Sequence, residues 1–264
     1  MEEKVYETIT SFLKLTNGAR FDFSSLIIET QKLTMMKFYL RNEENCVFDY
    51  RKALSENLPT EIDNHNPITI NIVENPSNDR LEEKKKKKTM LNNQFQCLKD
   101  TYYKGKNFDE QLEDEYLGTY TAIKSNIIKL GTLMQGKGIN SFDDMELFTQ
   151  CFNPIKKWIE FGGSSSSKDY LDYLKSEEFR MIPYIHISTL LTTDIFTSKK
   201  LILPTGDIKD IENISTLLPY CDFILIDDEQ RRRITRLLGE YNIYNTKCFS
   251  IKTIDGLISK IEKI

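Results

Sequence analysis

The chain has 264 residues, enough for one large domain or for a domain carrying a sizeable insertion. With 36 basic and 40 acidic side chains its net charge is −4, which excludes a global electrostatic pull toward nucleic acid and leaves only local basic surface for that purpose. No apolar run approaches the roughly 18 residues that a membrane helix needs. The cysteines (Cys46, Cys97, Cys151, Cys221, Cys248) are odd in number and lack a C-x-x-C pair, so a reduced, soluble, cytoplasmic protein without a membrane partner is expected.

In chain order, apolar spacing predicts a helix over 5–15, a short strand over 20–23 and a helix over 26–40. In that second helix Leu26, Leu33, Met36 and Leu40 fall on one face. A short helix is expected over 47–54, polar loop over 58–67, and a strand or extended connector over 68–73, where apolar and polar residues alternate. A turn over 75–79 leads into a long polar helix that begins at Glu82-Glu83 and continues with Lys84, Lys85, Lys86, Lys87 and Lys88. Successive helical residues advance by about 100°, so five adjacent lysines cannot share one face. They read first as a solvated segment and second as a phosphate-backbone contact, which Tyr102, Tyr103, Lys104 and Lys106 would extend for single-stranded nucleic acid.

Further helices are predicted over 112–130 and 145–161. The intervening Gly136-Lys137-Gly138 lacks the spacing and hydroxyl of a phosphate loop. Gly162 to Ser167 is low-complexity loop. A helix over 182–196 then precedes a Pro204-Thr205-Gly206 break. After the break come a helix opened by Asp207 and Asp210, a buried strand over 223–226, a helix over 229–239, a strand over 247–251 and a helix over 254–261. Strand–helix alternation on both sides of a helical middle predicts an α/β fold with a parallel sheet and a largely helical insertion.

The carboxylates of the last quarter carry the chemistry. Asp207 and Asp210 open a helix, and Asp227 and Asp228 end the strand that follows. In an open parallel sheet, strand C-termini and helix N-termini share the rim where ligands bind. The same residues also fit plain helix caps. Asp222 begins the strand and reads as structural. His65, in polar loop, and His186, within a helix, read as structural too, and Trp158 reads as core.

The segment 207–228, DIKDI through LPYCDFILIDD, resembles the C-terminal half of PIN-domain nucleases, closest to a bacterial PIN-like subgroup with a D-x-x-D-I…LPYCD…D pattern. A second stretch, RFDFSSLIIETQKL over 20–33, resembles their early strand, serine pair and helix, with Glu29 at the position of the metal-facing glutamate. The resemblance covers roughly 5–40 and 180–264. It implies a single PIN-like domain, a three-layer parallel-sheet core with a helical insertion over about 41–179. It departs at the start, where the family's opening strand ending in aspartate is absent and Met1 runs almost directly into the helix over 5–15.

What the resemblance implies is a metal-dependent nuclease, an endoribonuclease first, that hydrolyses phosphodiester bonds. Glu29 and Asp210 would hold Mg2+ or Mn2+, Asp227 or Asp228 would complete the shell, and Asp207 would stand behind them. Two carboxylates about 5 Å apart repel by roughly 3 kcal/mol at an effective dielectric of 20, so such a cluster calls for a hard cation. RNA, less so DNA, is the implied partner, with a homodimer or a protein inhibitor as further ones. The absent first acid supports an alternative, a degenerate PIN-like protein that binds RNA or a protein without cleavage. A receiver-like domain phosphorylated on Asp227 is a third reading, against which stands the late position of the acid pair.

Overall fold

The structure is a computed structural model that describes residues 24–41, 45–49, 53, 78–102, 105–136, 138–198, 207–239 and 243–262. Within these residues the chain is mostly helical, with one two-stranded parallel sheet near its C-terminal end, an α/β arrangement. The expected helix over 5–15, the strands over 20–23 and 68–73 and the loop over 58–67 lie outside the described residues. Residues 47–49 of the helix expected over 47–54 form no regular element. No described helix is long and apolar enough to cross a membrane.

The centre of the fold is α7 (Pro183–Thr197), which follows α1 (Ser24–Arg41), α2 (Asn78–Tyr102), α3 (Phe108–Gln135), α4 (Phe142–Glu160), α5 (Ser167–Tyr173) and α6 (Glu177–Arg180). Its sequence, PYIHISTLLTTDIFT, is apolar around most of its circumference, the mark of a helix buried on all sides. Ile187, Leu191, Ile195 and Phe196 pack on Ile211, Ile214 and Leu218 from α8 (Asp207–Leu217) and the turn after it. Just before α7, Ile182 joins a second, aromatic core of Met35, Met36, Trp158, Tyr170, Tyr173 and Phe179.

Local signals set the helix ends. Asn107 and Ser141 open α3 and α4 with reciprocal capping boxes completed by Glu110 and Asp144. The two short helices α5 and α6 were not expected from the sequence. Serines build them: Ser166 caps α5 by accepting from Lys168 N–H, and Ser176 caps α6 by accepting from Phe179 N–H. The polar helix α2 is tied to the end of α7 through its C-terminal half. There Lys99 Nζ donates to the Ser198 carbonyl at 3.2 Å, and the rings of Phe95 and Phe196 lie 6.0 Å apart.

The C-terminal unit runs β1 (Phe223–Leu225), α9 (Asp228–Leu238), β2 (Lys247–Phe249), a short 3-10 turn and α10 (Ile254–Ile261). The strands pair in parallel, Phe223 with Lys247 and Leu225 with Phe249, as a β–α–β crossover. The strand expected over 247–251 stops at Phe249, because Ser250 and Thr253 bond each other's backbone and start the 3-10 turn.

On α1 the expected face is buried at Met36 and partly at Leu33 and Leu40, but Leu26 is 51% exposed, and Ile27, Gln31 and Met35 are buried beside it. The Gln31 amide lies at the start of α7, where Ile182 provides no side-chain cap and the first backbone N–H groups lack intrahelical acceptors. Gln31 Oε1 accepts the Tyr184 N–H at 2.7 Å. Replacing Gln31 with Met keeps the volume but strands that donor, so urea unfolding of Gln31→Met is expected to show a loss of about 1–3 kcal/mol.

Candidate functional site

The end of β1 divides two acids that are neighbours in sequence. Asp227 is the N-cap of α9, with extended backbone (φ −65°, ψ 159°), and its Oδ1 accepts from Glu229 N–H at 2.9 Å and Gln230 N–H at 3.0 Å. Its exposed side chain lines a hollow of about 290 Å3 together with Asp210, Asn213 and apolar side chains including Ile214, Leu217 and Ile226. Asp210 comes from the first turn of α8, so helix start and strand end do meet at one rim, as the sequence pattern predicts. Asp207 opens α8. Asp222, exposed, precedes β1, and its carbonyl accepts from Lys247 N–H.

Asp228, the first residue of α9, turns to the other side. Ser250 Oγ and Arg231 Nη2 donate to its Oδ1 at 3.1 Å each, while Arg232 Nη2 at 2.7 Å and Lys252 Nζ at 3.1 Å reach Oδ2. The hydrogen bond from Lys252 leads these interactions in holding the Asp228 carboxyl down at about 2, against the partial opposition of burial. A carboxylate held by two arginines, a lysine and a hydroxyl is a structural anchor for cations rather than an open metal ligand.

Those cations belong to a larger cavity of about 980 Å3. Arg232, Arg233, Arg236 and Lys252 line it against the acids Asp194, Asp228 and Glu229, with Thr197, Ser198 and Phe108 on its edge. At its base Asp194, from the apolar helix α7, is buried and receives Arg233 Nε at 3.1 Å and Arg236 Nη2 at 2.7 Å. Arg233 is itself buried, whereas the side chains of Arg232, Arg236 and Lys252 are 68%, 60% and 71% exposed. This cation-lined cavity escaped the sequence reading. Its signals are present: basic residues at 232, 233 and 236 recur at one-turn spacing on α9, and Asp194 is an isolated acid within an apolar helix.

Glu29 is exposed on α1 and lines a separate cavity formed with α3, α4 and α5. Among the described residues no group of three or more His, Cys, Asp and Glu is placed to hold a metal ion. The acids expected around a metal, Glu29 and Asp210 with Asp227 or Asp228, lie in three surroundings: Asp210 with Asp227, Asp228 among cations, and Glu29 elsewhere. What a cation could meet is the Asp210–Asp227 hollow, where one Asp227 oxygen already caps α9 and much of the lining is hydrocarbon. Of the lysine run, Lys86 has an exposed side chain beside Thr89 and Met90 on α2. His186 Nδ1 lies 2.9 Å from Tyr244 Oη, and burial lowers its pKa, which fits the structural reading of that histidine.

Two outcomes follow. Arg233→Met leaves Asp194 buried with Arg236 as its charge partner, so a stability loss of about 3 kcal/mol is expected on denaturant unfolding. For Asp228 the folded pKa lies below the unfolded value of about 3.9. Its stabilisation is thus complete above that pH and fades as pH falls through about 2. Carboxyl NMR should give a midpoint near 2, and Asp228→Asn should flatten the acid limb of the stability curve.

Compared with known protein families, with curated proteins and with solved structures, the chain matches none.

Proposed function

We propose that this chain binds RNA through its phosphates at the cation-lined cavity on α9, and does so without cleaving it, as a PIN-like protein with an incomplete acidic centre. The observation that carries the reading is the set of exposed Arg232, Arg236 and Lys252 at one opening, over the carboxylates of Asp194 and Asp228. The acids orient the guanidinium groups without saturating them. Arg232 and Arg236 each engage a carboxylate through Nη2, and a guanidinium has five N–H donors. Planar donors held in place suit phosphate oxygens. Phosphate neutralisation by basic side chains needs no base-specific contact, and it operates locally even in a chain of net charge −4. The finer fold expectation, a three-layer PIN-like core, is part of this proposal.

The second reading is the metal-dependent ribonuclease. The meeting of Asp210 and Asp227 at the rim of β1 favours it, since Mg2+ is often held by only one or two carboxylates together with substrate phosphates.

One set of measurements separates the two. Single-stranded RNA should bind the wild type, and the salt dependence should weaken in Arg236→Gln/Lys252→Gln by about 0.7 in log–log slope per lost cation. With Mn2+ present the bound RNA should stay intact, and Asp210→Asn and Glu29→Gln should bind as the wild type does. Cleavage that disappears in Asp210→Asn would establish the ribonuclease instead. Absence of binding at low salt, or an unchanged slope in the double variant, would refute the cavity as the RNA site.

A further inference from the structure

Phe108 is an aromatic side chain that serves neither hydrophobic core. It is half-buried, and among the described residues it makes no ring–ring or cation–π contact. It lines the cation-lined cavity, as the one aromatic ring among the described residues of that lining.

Local backbone fixes its place. Phe108 is the first residue of α3 and follows the Asn107 cap directly. Asn107 Oδ1 accepts the Glu110 N–H at 3.0 Å, and Glu110 Oε2 accepts the Asn107 N–H at 3.1 Å. The Gln111 N–H donates to the Asn107 carbonyl at 3.1 Å and starts the helical ladder. These bonds hold the backbone on both sides of Phe108, so a ligand need not order the segment that carries the ring.

The two parts of the lining fit one ligand class. The exposed Arg232, Arg236 and Lys252 suit phosphate oxygens. A bare phosphate has no use for an aromatic ring, whereas a nucleotide carries a planar base beside its phosphate. Stacking on aromatic side chains next to a basic groove holds unpaired strands with little regard to sequence. In a duplex the faces of the bases are covered by their neighbours, and proteins meet mainly hydroxyls and phosphates.

Resting on the RNA reading above, we propose that Phe108 is a stacking platform for one unpaired base of the strand whose phosphates Arg232, Arg236 and Lys252 receive, and that it favours single strands over duplex.

The full chain is titrated at low salt with oligouridylate of about eight nucleotides, with a ribose-phosphate strand of that length lacking bases, and with duplex RNA. Wild type should bind oligouridylate about fivefold or more tightly than the base-free strand. Phe108→Leu keeps an apolar side chain and should lose that advantage, with its salt slope and its affinities for base-free strand and duplex unchanged. Phe108→Trp should bind oligouridylate at least as well as wild type, and its added indole should be quenched on binding, beyond any change in the wild-type fluorescence. Wild-type affinity of Phe108→Leu for oligouridylate would overturn the stacking platform and leave the phosphate contacts standing. An equal loss of Phe108→Leu affinity for all three probes, or an unquenched indole, would overturn it as well. Failure of the wild type to bind any of the three would remove the RNA reading itself, and the platform with it.

Discussion

A buried ion pair sets the position of the C-terminal unit. Asp194 is the sole carboxylate of a helix with no exposed residue, and burial of a lone carboxylate there would be strongly unfavourable. Arg233 answers it from α9 with an equally buried guanidinium, and Arg236 adds a second contact one turn later. Because two residues of α9 grip one residue of α7, the helix cannot slide or rotate without leaving a charge uncompensated. The N-terminus of α9 is fixed by that grip. With it are fixed the divergent directions of Asp227 and Asp228 and the two different surroundings on either side of β1.

The divergence follows from helix geometry. Successive residues at a helix start differ in direction by about 100°. The cap residue stays outside the helix and turns its carboxylate toward the first N–H groups, whereas the next residue points from the helix wall. Two adjacent aspartates therefore do separate jobs. Asp227 terminates the backbone of α9 and shares a hollow with Asp210. Asp228 becomes the anchor on which Arg231, Arg232 and Lys252 converge.

Much of the secondary structure was legible from residue patterns. The helices around Leu112, Met145, Ile187 and Ile234 and the strand at Phe223 have strong periodicity or clear apolar runs, and local caps at Asn107, Ser141 and Asp227 open all of these helices but the one around Ile187. The rim where Asp210 and Asp227 meet was legible for the same reason, since strand end and helix start in a parallel unit lie on one edge. What escaped was long-range. Leu26 faces solvent and Gln31 is buried against an N–H at Tyr184, a partner that no local pattern reveals. Glu29 lines the cavity that also holds Lys32. The cationic cavity escaped because its members come from α3, α7, α9 and the turn after β2, each unremarkable alone. The serine-rich stretch before α5 reads as linker by composition, yet Ser166 and Ser176 serve as caps of short helices.

The contact between Gln31 and Tyr184 has a consequence in chain entropy. It joins residues 153 apart, whereas the parallel pairing of Phe223 with Lys247 joins residues only 24 apart. Closure of the larger loop loses more entropy, by about 1.6 kcal/mol on a logarithmic length dependence. The crossover unit can assemble from nearby sequence, but the first turn of the central helix acquires its acceptor only when the distant N-terminal region arrives. That junction lies between the two cores.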